Sequence, residues 1–180
     1  MQLDEKYFVP FLAVVAIFTA GLILFFTASN RESKERAFKE QITAQDSLKL
    51  VKMPVISGDG SLGVSSFPNS YVVVDFWATW TSSFSEQAHK QLADLRKMYP
   101  DNLEVIAAVV EDKDNNVKEY ISRFNHPFHF VDGTKPFNKF DVPGVPTQLV
   151  YAPGGELQSI FTGYADSVRY DSLRTIISNE

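Results

Sequence analysis

The sequence contains no cysteine. That absence excludes structural disulfides, cysteine-ligated zinc, covalent attachment of a c-type haem and an acylated lipoprotein cysteine. Histidine is scarce too: there are three, His89, His126 and His129, and only the last two are close in sequence. Protein metal sites usually need three or four ligands, so the stretch from Asn125 to His129 reads as a loop leading into a strand. No metal and no other cofactor is expected. Positive charge is not in excess either. With a formal net charge of −5, the chain lacks the basic balance of proteins that release counterions from a phosphate backbone, and nucleic acid is not an expected partner.

What is present is globular composition, 44% apolar and 22% charged with 15 phenylalanines over 180 residues, enough for one ordinary domain and a tether. The tether is legible first. Phe8 to Thr27 is a run of twenty residues without a charge, the length that spans a bilayer as a helix. A cleaved signal peptide is the rival reading. Its apolar stretch is normally shorter, its start more basic and its cleavage site richer in small residues than Thr27-Ala28-Ser29. Residues 1–29 are therefore expected to be a transmembrane anchor. Residues 30–52 are charged and free of glycine and proline, with sparse apolar positions at Phe38, Ile42, Leu48 and Val51. They read as a helical stalk or linker, capped by Ser29 or Asn30 and ended by Pro54. The span is preceded by Lys6, with Asp4 and Glu5, and followed by Arg31, Lys34, Arg36 and Lys39, which by the positive-inside rule favours a cytoplasmic C-terminal part.

From residue 53 to 180, strand and helix signals alternate, predicting an α/β domain with a mixed central sheet flanked by helices. Tyr71 to Trp77 and Leu103 to Val110 read as buried strands. Phe84, Ala88, Leu92, Leu95 and Tyr99 recur at helical spacing behind a Ser83-x-x-Glu86 capping box. Asp114 to Phe124 gives a second amphipathic helix. Thr147 to Tyr151 and Leu157 to Phe161 flank Ala152-Pro-Gly-Gly155, where proline and glycine suit the centre of a type II turn. Ser167 to Ser178 closes the chain as a helix burying Val168, Leu173, Ile176 and Ile177.

Three local motifs accompany this order: Val74-Asp-Phe-Trp-Ala-Thr-Trp80, Val142-Pro-Gly-Val-Pro-Thr147, and the Pro-Gly-Gly turn followed by Leu157 to Gly163. Together they resemble the thioredoxin fold, and more narrowly the membrane-anchored TlpA/ResA-type thioredoxin-like proteins of bacteria. The resemblance implies that the four residues after Trp80 stand where a Cys-x-x-Cys motif does, so that Thr81 and Phe84 replace the two redox cysteines. It also implies a cis Pro146 facing that site, and it makes Asp75 the match of a buried acid that serves the resolving cysteine. A thiolate at the helix start is the attacking group in that chemistry, and a second thiol resolves the mixed disulfide. Thr81 and Phe84 offer neither, so thiol-disulfide exchange is excluded.

For each of these residues two readings stand side by side. Asp75 is a retained proton-transfer group or a structural carboxyl satisfied by a hydroxyl or water. Phe84 is a core plug, or it joins Trp80 and Pro146 in an apolar patch where a partner docks, with the Val145 backbone offered to a partner strand. Thr81, Ser82 and Ser83 would act as nucleophiles only with an adjacent base and an orienting group. The expectation is a redox-inactive, non-enzymatic protein-binding or structural module held at the membrane, a subunit of a membrane complex. The alternatives are a cysteine-independent enzyme and a chaperone using the same surface. The resemblance places the domain on the periplasmic side of a bacterial inner membrane, against the charge count.

Overall fold

The computed structural model describes residues 5–163 and 167–178; the termini and the 164–166 segment included in the expected spans, Asp4 among them, lie outside the described residues. Glu5–Ala44 is helical throughout (α1). No helix begins at Ser29 or Asn30, because the chain is already helical there and needs no cap.

The chain divides into two compact units, one up to Ala37 and one from Phe38. In the first, Phe11, Ile17, Phe18, Leu24, Phe25 and Phe26 are all exposed. With Leu12 and Ile23, which are also exposed, they project to both sides of the helix at about 100° per residue rather than along one stripe, as in a segment solvated by lipid. The hydroxyls of Thr19 and Thr27 donate to the carbonyls of Val15 and Ile23, at 2.8 and 2.7 Å, satisfying their polarity within the helix as a hydrocarbon environment requires. This is a single helix long and apolar enough to cross a membrane.

The unit boundary falls inside the expected stalk rather than at Met53. Phe38 and Ile42, one turn apart on α1, are buried with Leu48 among the residues of the main hydrophobic cluster. The sparse apolar positions of the charged segment are thus a packing stripe, and 38–52 belongs to the domain.

That domain is built on a sheet in the order β5-β4-β3-β6-β7. Its strands are β3 (Tyr71–Trp77), β4 (Leu103–Val109), β5 (His129–Asp132), β6 (Thr147–Tyr151) and β7 (Leu157–Thr162). A two-residue pair, β1 (Met53–Pro54) with β2 (Ser61–Leu62), precedes it. β3, β4 and β5 run parallel, while β6 is antiparallel to both β3 and β7. Every residue of β3 is buried, and the strand alternation sorts them. Val72, Val74 and Phe76 join Phe38, Ile42, Leu149 and Tyr151 on one face. Val73 joins Leu92, Leu95, Leu173 and Ile177 on the other, and Trp77 packs with Val117 and Tyr120. The helices α2 (Ser82–Met98), α3 (Asp114–Phe124), α4 (Thr134–Lys139) and α5 (Ser167–Ser178) follow. The short α4, with Pro136 inside it, has no sequence counterpart in the reading above.

The hairpin forms as expected: Gly154 takes φ +83° and the Gly155 N–H donates to the Ala152 carbonyl at 2.9 Å, the bond that closes a four-residue turn. Two expectations fail. Val168 is 69% exposed rather than buried, its place in the α5 stripe taken by Arg169, which reaches the Thr162 carbonyl at 2.8 Å. The capping box is absent as well. A short 3-10 turn, Thr79–Thr81, runs straight into α2, so Ser83 lies inside the helix instead of at its start.

Because Phe38 is part of the core, Phe38→Ala is expected to destabilise the domain by about 3–5 kcal/mol. Urea denaturation of the wild-type and variant chains measures this. A change below about 1 kcal/mol, the scale of a surface substitution, would return the segment to a stalk.

Candidate binding surface

The residues singled out by sequence collect at one end of the sheet. β3 leaves the sheet at Trp77 and passes through the Thr79–Thr81 turn into α2, so Trp80 and Thr81 lie in the turn and Phe84 in the first turn of the helix. β6 starts at Thr147, which pairs with Phe76. Val145 and Pro146 immediately precede it, next to the point where β3 ends. The Val145–Pro146 bond is cis. The Pro146 carbonyl accepts from the Gly163 N–H at 2.9 Å and the Thr147 hydroxyl donates to the Gly144 carbonyl at 2.7 Å. Val145 is half-buried, and among the described residues its own N–H and C=O enter no hydrogen bond.

Phe84 is not a core plug. It is 46% exposed, and Trp80, one helical turn away in sequence, is 64% exposed. The buried stripe of α2 is Ser85, Ala88, His89, Leu92 and Leu95, a spacing of three and four that faces the sheet. Phe84 sits one residue, about 100°, away from Ser85. The buried place one might assign to it is held by Ser85, whose hydroxyl donates to the Ala78 carbonyl at 3.1 Å.

The Thr81 hydroxyl also reaches the Ala78 carbonyl, at 2.9 Å, and lies 2.7 Å from the Ser85 hydroxyl. The two hydroxyls have one proton each, and both are engaged inside this triangle. Ser83 is exposed, and the side chain of Ser82 lies outside the described residues. A hydroxyl nucleophile needs a base with a free lone pair, and the histidine nearest in sequence, His89, has none to offer.

His89 is the site residue that composition and motif missed. It is fully buried, its Nε2 lies 3.0 Å from Oδ2 of the equally buried Asp75, and its Nδ1 is 2.8 Å from the Tyr120 hydroxyl. Trp77 and Phe128 close in on the imidazole with ring centroids at 4.7 and 5.3 Å. The N–H direction is off the carboxylate, and neither Asp75 oxygen has an aligned donor, so the contact is an electrostatic pair rather than a directed hydrogen bond. Asp75 is therefore faced by an imidazole. Burial, reinforced by the negative charges of Glu86 and Asp75, pushes the Tyr120 phenol far up, so the hydroxyl stays protonated. When it donates to Nδ1, the imidazole proton is on Nε2, facing Asp75. The sequence signal existed: His89 falls on the apolar stripe of α2, opposite the strand face that carries Asp75.

A cleft touching this end has a volume of about 210 Å³ and is bordered by Thr79, Glu86, Glu119, Tyr120 and Arg123. That is below the roughly 300–1,000 Å³ of small-molecule sites. Of the remaining histidines, His126 lies beside His89, with ring centroids 5.7 Å apart. His129 pairs with Glu104 at 3.1 Å. His126 is sandwiched between Phe124 and Phe128, with centroids at 5.6 and 5.1 Å.

Burial, with the electrostatic influence of His89 and Lys97 adding to it and that of Asp94 opposing, holds the His126 imidazole down at about 4 against an ordinary 6.5. The folded state resists a proton that the unfolded chain accepts. Stability is therefore lost as pH falls from about 6.5 to about 4 and levels off below. His126→Phe keeps a ring in the stack without a titrating group, so the loss across that window is expected to be smaller in the variant. Denaturation midpoints at pH 7, 5.5 and 4.5 measure the difference, and identical profiles contradict it.

The comparisons with known proteins agree with this architecture. A family model described as thioredoxin-like matches residues 69–157. A secreted disulfide oxidoreductase of Mycobacterium tuberculosis, described as homologous to Escherichia coli DsbE, superimposes with a TM-score of 0.62 at 15% identity, covering 76% of this chain and 100% of its own. A putative thiol:disulfide interchange protein DsbE from Chlorobium tepidum gives 0.62 at 18% identity, covering 71% and 91%. The exposed lipoprotein thioredoxin of Streptococcus pneumoniae gives 0.57 at 17% identity, covering 72% and 98%. No curated protein sequence matches the chain. Matched in sequence over 69–157 and in fold over most of the chain's length, the domain that follows the apolar helix has a thioredoxin-like fold and lacks cysteine.

Proposed function

We propose that this chain is a membrane-anchored, redox-inactive accessory module, a subunit of a membrane protein complex, that binds a protein partner through the surface where its fold relatives carry their redox motif. The exposed pair Trp80 and Phe84 carries the proposal. Two large aromatic groups left in water at a helix start, at the positions of and beside the missing cysteines, fit the aromatic anchors that dominate protein interfaces. Next to them the unpaired backbone of Val145 offers one donor and one acceptor to an extended segment of the partner, a contact that requires no sulfur. The chemistry of the site supports binding over catalysis. The hydroxyls of Thr81 and Ser85 bond to each other and to Ala78, and both nitrogens of His89 face Asp75 and Tyr120.

The proposal places the domain on the periplasmic side of the inner membrane. Support comes from two of the structural neighbours, one a secreted protein and the other an exposed lipoprotein. The count of basic residues after the span opposes it, but that rule is a bias on short flanking segments.

One experiment separates the two parts. Spheroplasts expressing the full chain are treated with a membrane-impermeant amine-reactive crosslinker, and adducts are identified by mass spectrometry. The expected result is a discrete adduct with another membrane protein, reduced at least about thirtyfold in Trp80→Ala and in Phe84→Ala, as the loss of an interface anchor of about 2 kcal/mol implies. No labelling of the chain at all would refute the exported side. An adduct that both variants leave unchanged would refute the surface.

A further inference from the structure

The sheet has two edges, and the chain treats them differently. The outer edge of β5 is covered by the chain itself: Val55 bridges Val131, and the Ile56 N–H donates to the Phe130 carbonyl at 3.0 Å. β7, at the other edge, pairs only with β6. Among the described residues no backbone group of Ser159 to Phe161 bonds outside that pairing. Proteins usually blunt a free edge with lysine, proline, extreme shortness or bulges. β7 has one irregularity, where Gln158 is left without an opposite residue. Beyond it Ser159-Ile-Phe-Thr162 is regular, uncharged and free of proline.

A groove flanks this edge on each face of the sheet. One, of about 580 Å³, is bordered by Lys39, Ile42, Asp46, Lys49, Glu156 and Ile160. The other, of about 510 Å³, is bordered by Phe161, Val168, Asp171, Thr175 and Ile176. Ser159 borders both. A strand laid against β7 would send alternate side chains into the two grooves.

We infer that the occupant is a second copy of this chain, its β7 antiparallel to the first, so that two five-stranded sheets become one continuous sheet. Three observations favour self-pairing. A two-fold axis normal to the sheet sets one residue of the strand opposite its own copy and its neighbours opposite symmetry mates, so any charge there would face a like charge at close range. The regular part of β7 carries none. The first groove is rimmed by both signs, Lys39 and Lys49 with Asp46 and Glu156, a set complementary to itself under rotation. The same axis keeps both α5 helices on one side of the joined sheet. Val168, 69% exposed beside Phe161 and Ile176, then gains an apolar partner in its own copy. An anchor that confines both copies to one membrane raises their effective concentration. This surface is separate from Trp80 and Phe84, and either can stand without the other.

The natural absence of cysteine makes the test clean. The full chain in detergent micelles is expected to sediment as a dimer at micromolar concentration, and Ser159→Lys, which places a charge opposite its copy, to weaken the dimer at least about tenfold with an unchanged circular dichroism spectrum. Single-cysteine variants Ser159→Cys, Ile160→Cys and Phe161→Cys provide a second reading that does not depend on the lysine variant folding. Opposed residues on antiparallel strands have Cα atoms about 4.5–5.5 Å apart, within disulfide reach. One of the three is expected to form a disulfide-linked dimer on mild oxidation, while Asp101→Cys, in an exposed turn, does not. A wild-type chain that stays monomeric at concentrations on the order of 100 μM overturns the inference. So does a dimer that persists in Ser159→Lys and is trapped by none of the three cysteines.

Discussion

The buried contact between Asp75 and His89 is the constraint on which the working end of this domain depends. Asp75 sits on the central strand with no solvent exposure, and an isolated carboxylate there would be penalised by several kcal/mol. The fold meets that penalty from the neighbouring helix. For His89 to face β3, α2 must present the stripe that also contains Ser85 and Leu92, and that rotation sets the rest. Ser85 then turns toward Ala78 and Thr81, and Phe84 turns toward solvent. The hydroxyl triangle and the exposed aromatic pair are two consequences of one helix orientation. Tyr120 extends the same contact to α3, so three elements are tied to a single imidazole.

This arrangement gives physical content to the proposed redox inactivity. Without cysteines a buried acid has no thiol to serve, and its unpaired burial would be a liability. Here the acid has a buried imidazole 3.0 Å away, so its presence requires no catalytic explanation. What remains at the helix start is a rigid surface with aromatic groups in water and an unpaired backbone beside them, which is material for recognition. The long apolar helix and the uncharged edge of β7 fit the same proposal, since each suits association.

Much of the fold was legible in the sequence because its signals are local. The β3 run is apolar on both faces, the Ala152-Pro-Gly-Gly155 turn has its own backbone chemistry, and α3 and α5 show helical periodicity within one segment. The failures share a cause: they depend on which neighbour a side chain meets. Phe84 fitted the periodicity of α2 nearly as well as Ser85 does, and only the demand of Asp75 for His89 separates the two. Phe38 and Ile42 looked like stray apolar residues in a charged stalk because their partners, Leu149 and Tyr151, lie more than a hundred positions away. His89 belongs to no local motif, although its place on a buried stripe opposite a buried acid was readable. The Ser83 capping box was a valid local pattern overridden by the 3-10 turn that feeds α2.

A double-mutant cycle on Asp75 and His89 tests the account most directly. Chemical denaturation is measured for the wild-type chain, Asp75→Leu, His89→Leu and the double variant. If the pair is what makes the buried acid tolerable, each single change destabilises by about 3–5 kcal/mol, and the double variant is more stable than the sum of the two by well over 1 kcal/mol. Effects that add within about 0.5 kcal/mol would mean that Asp75 and His89 do not depend on each other, and the orientation of α2 would need a different cause.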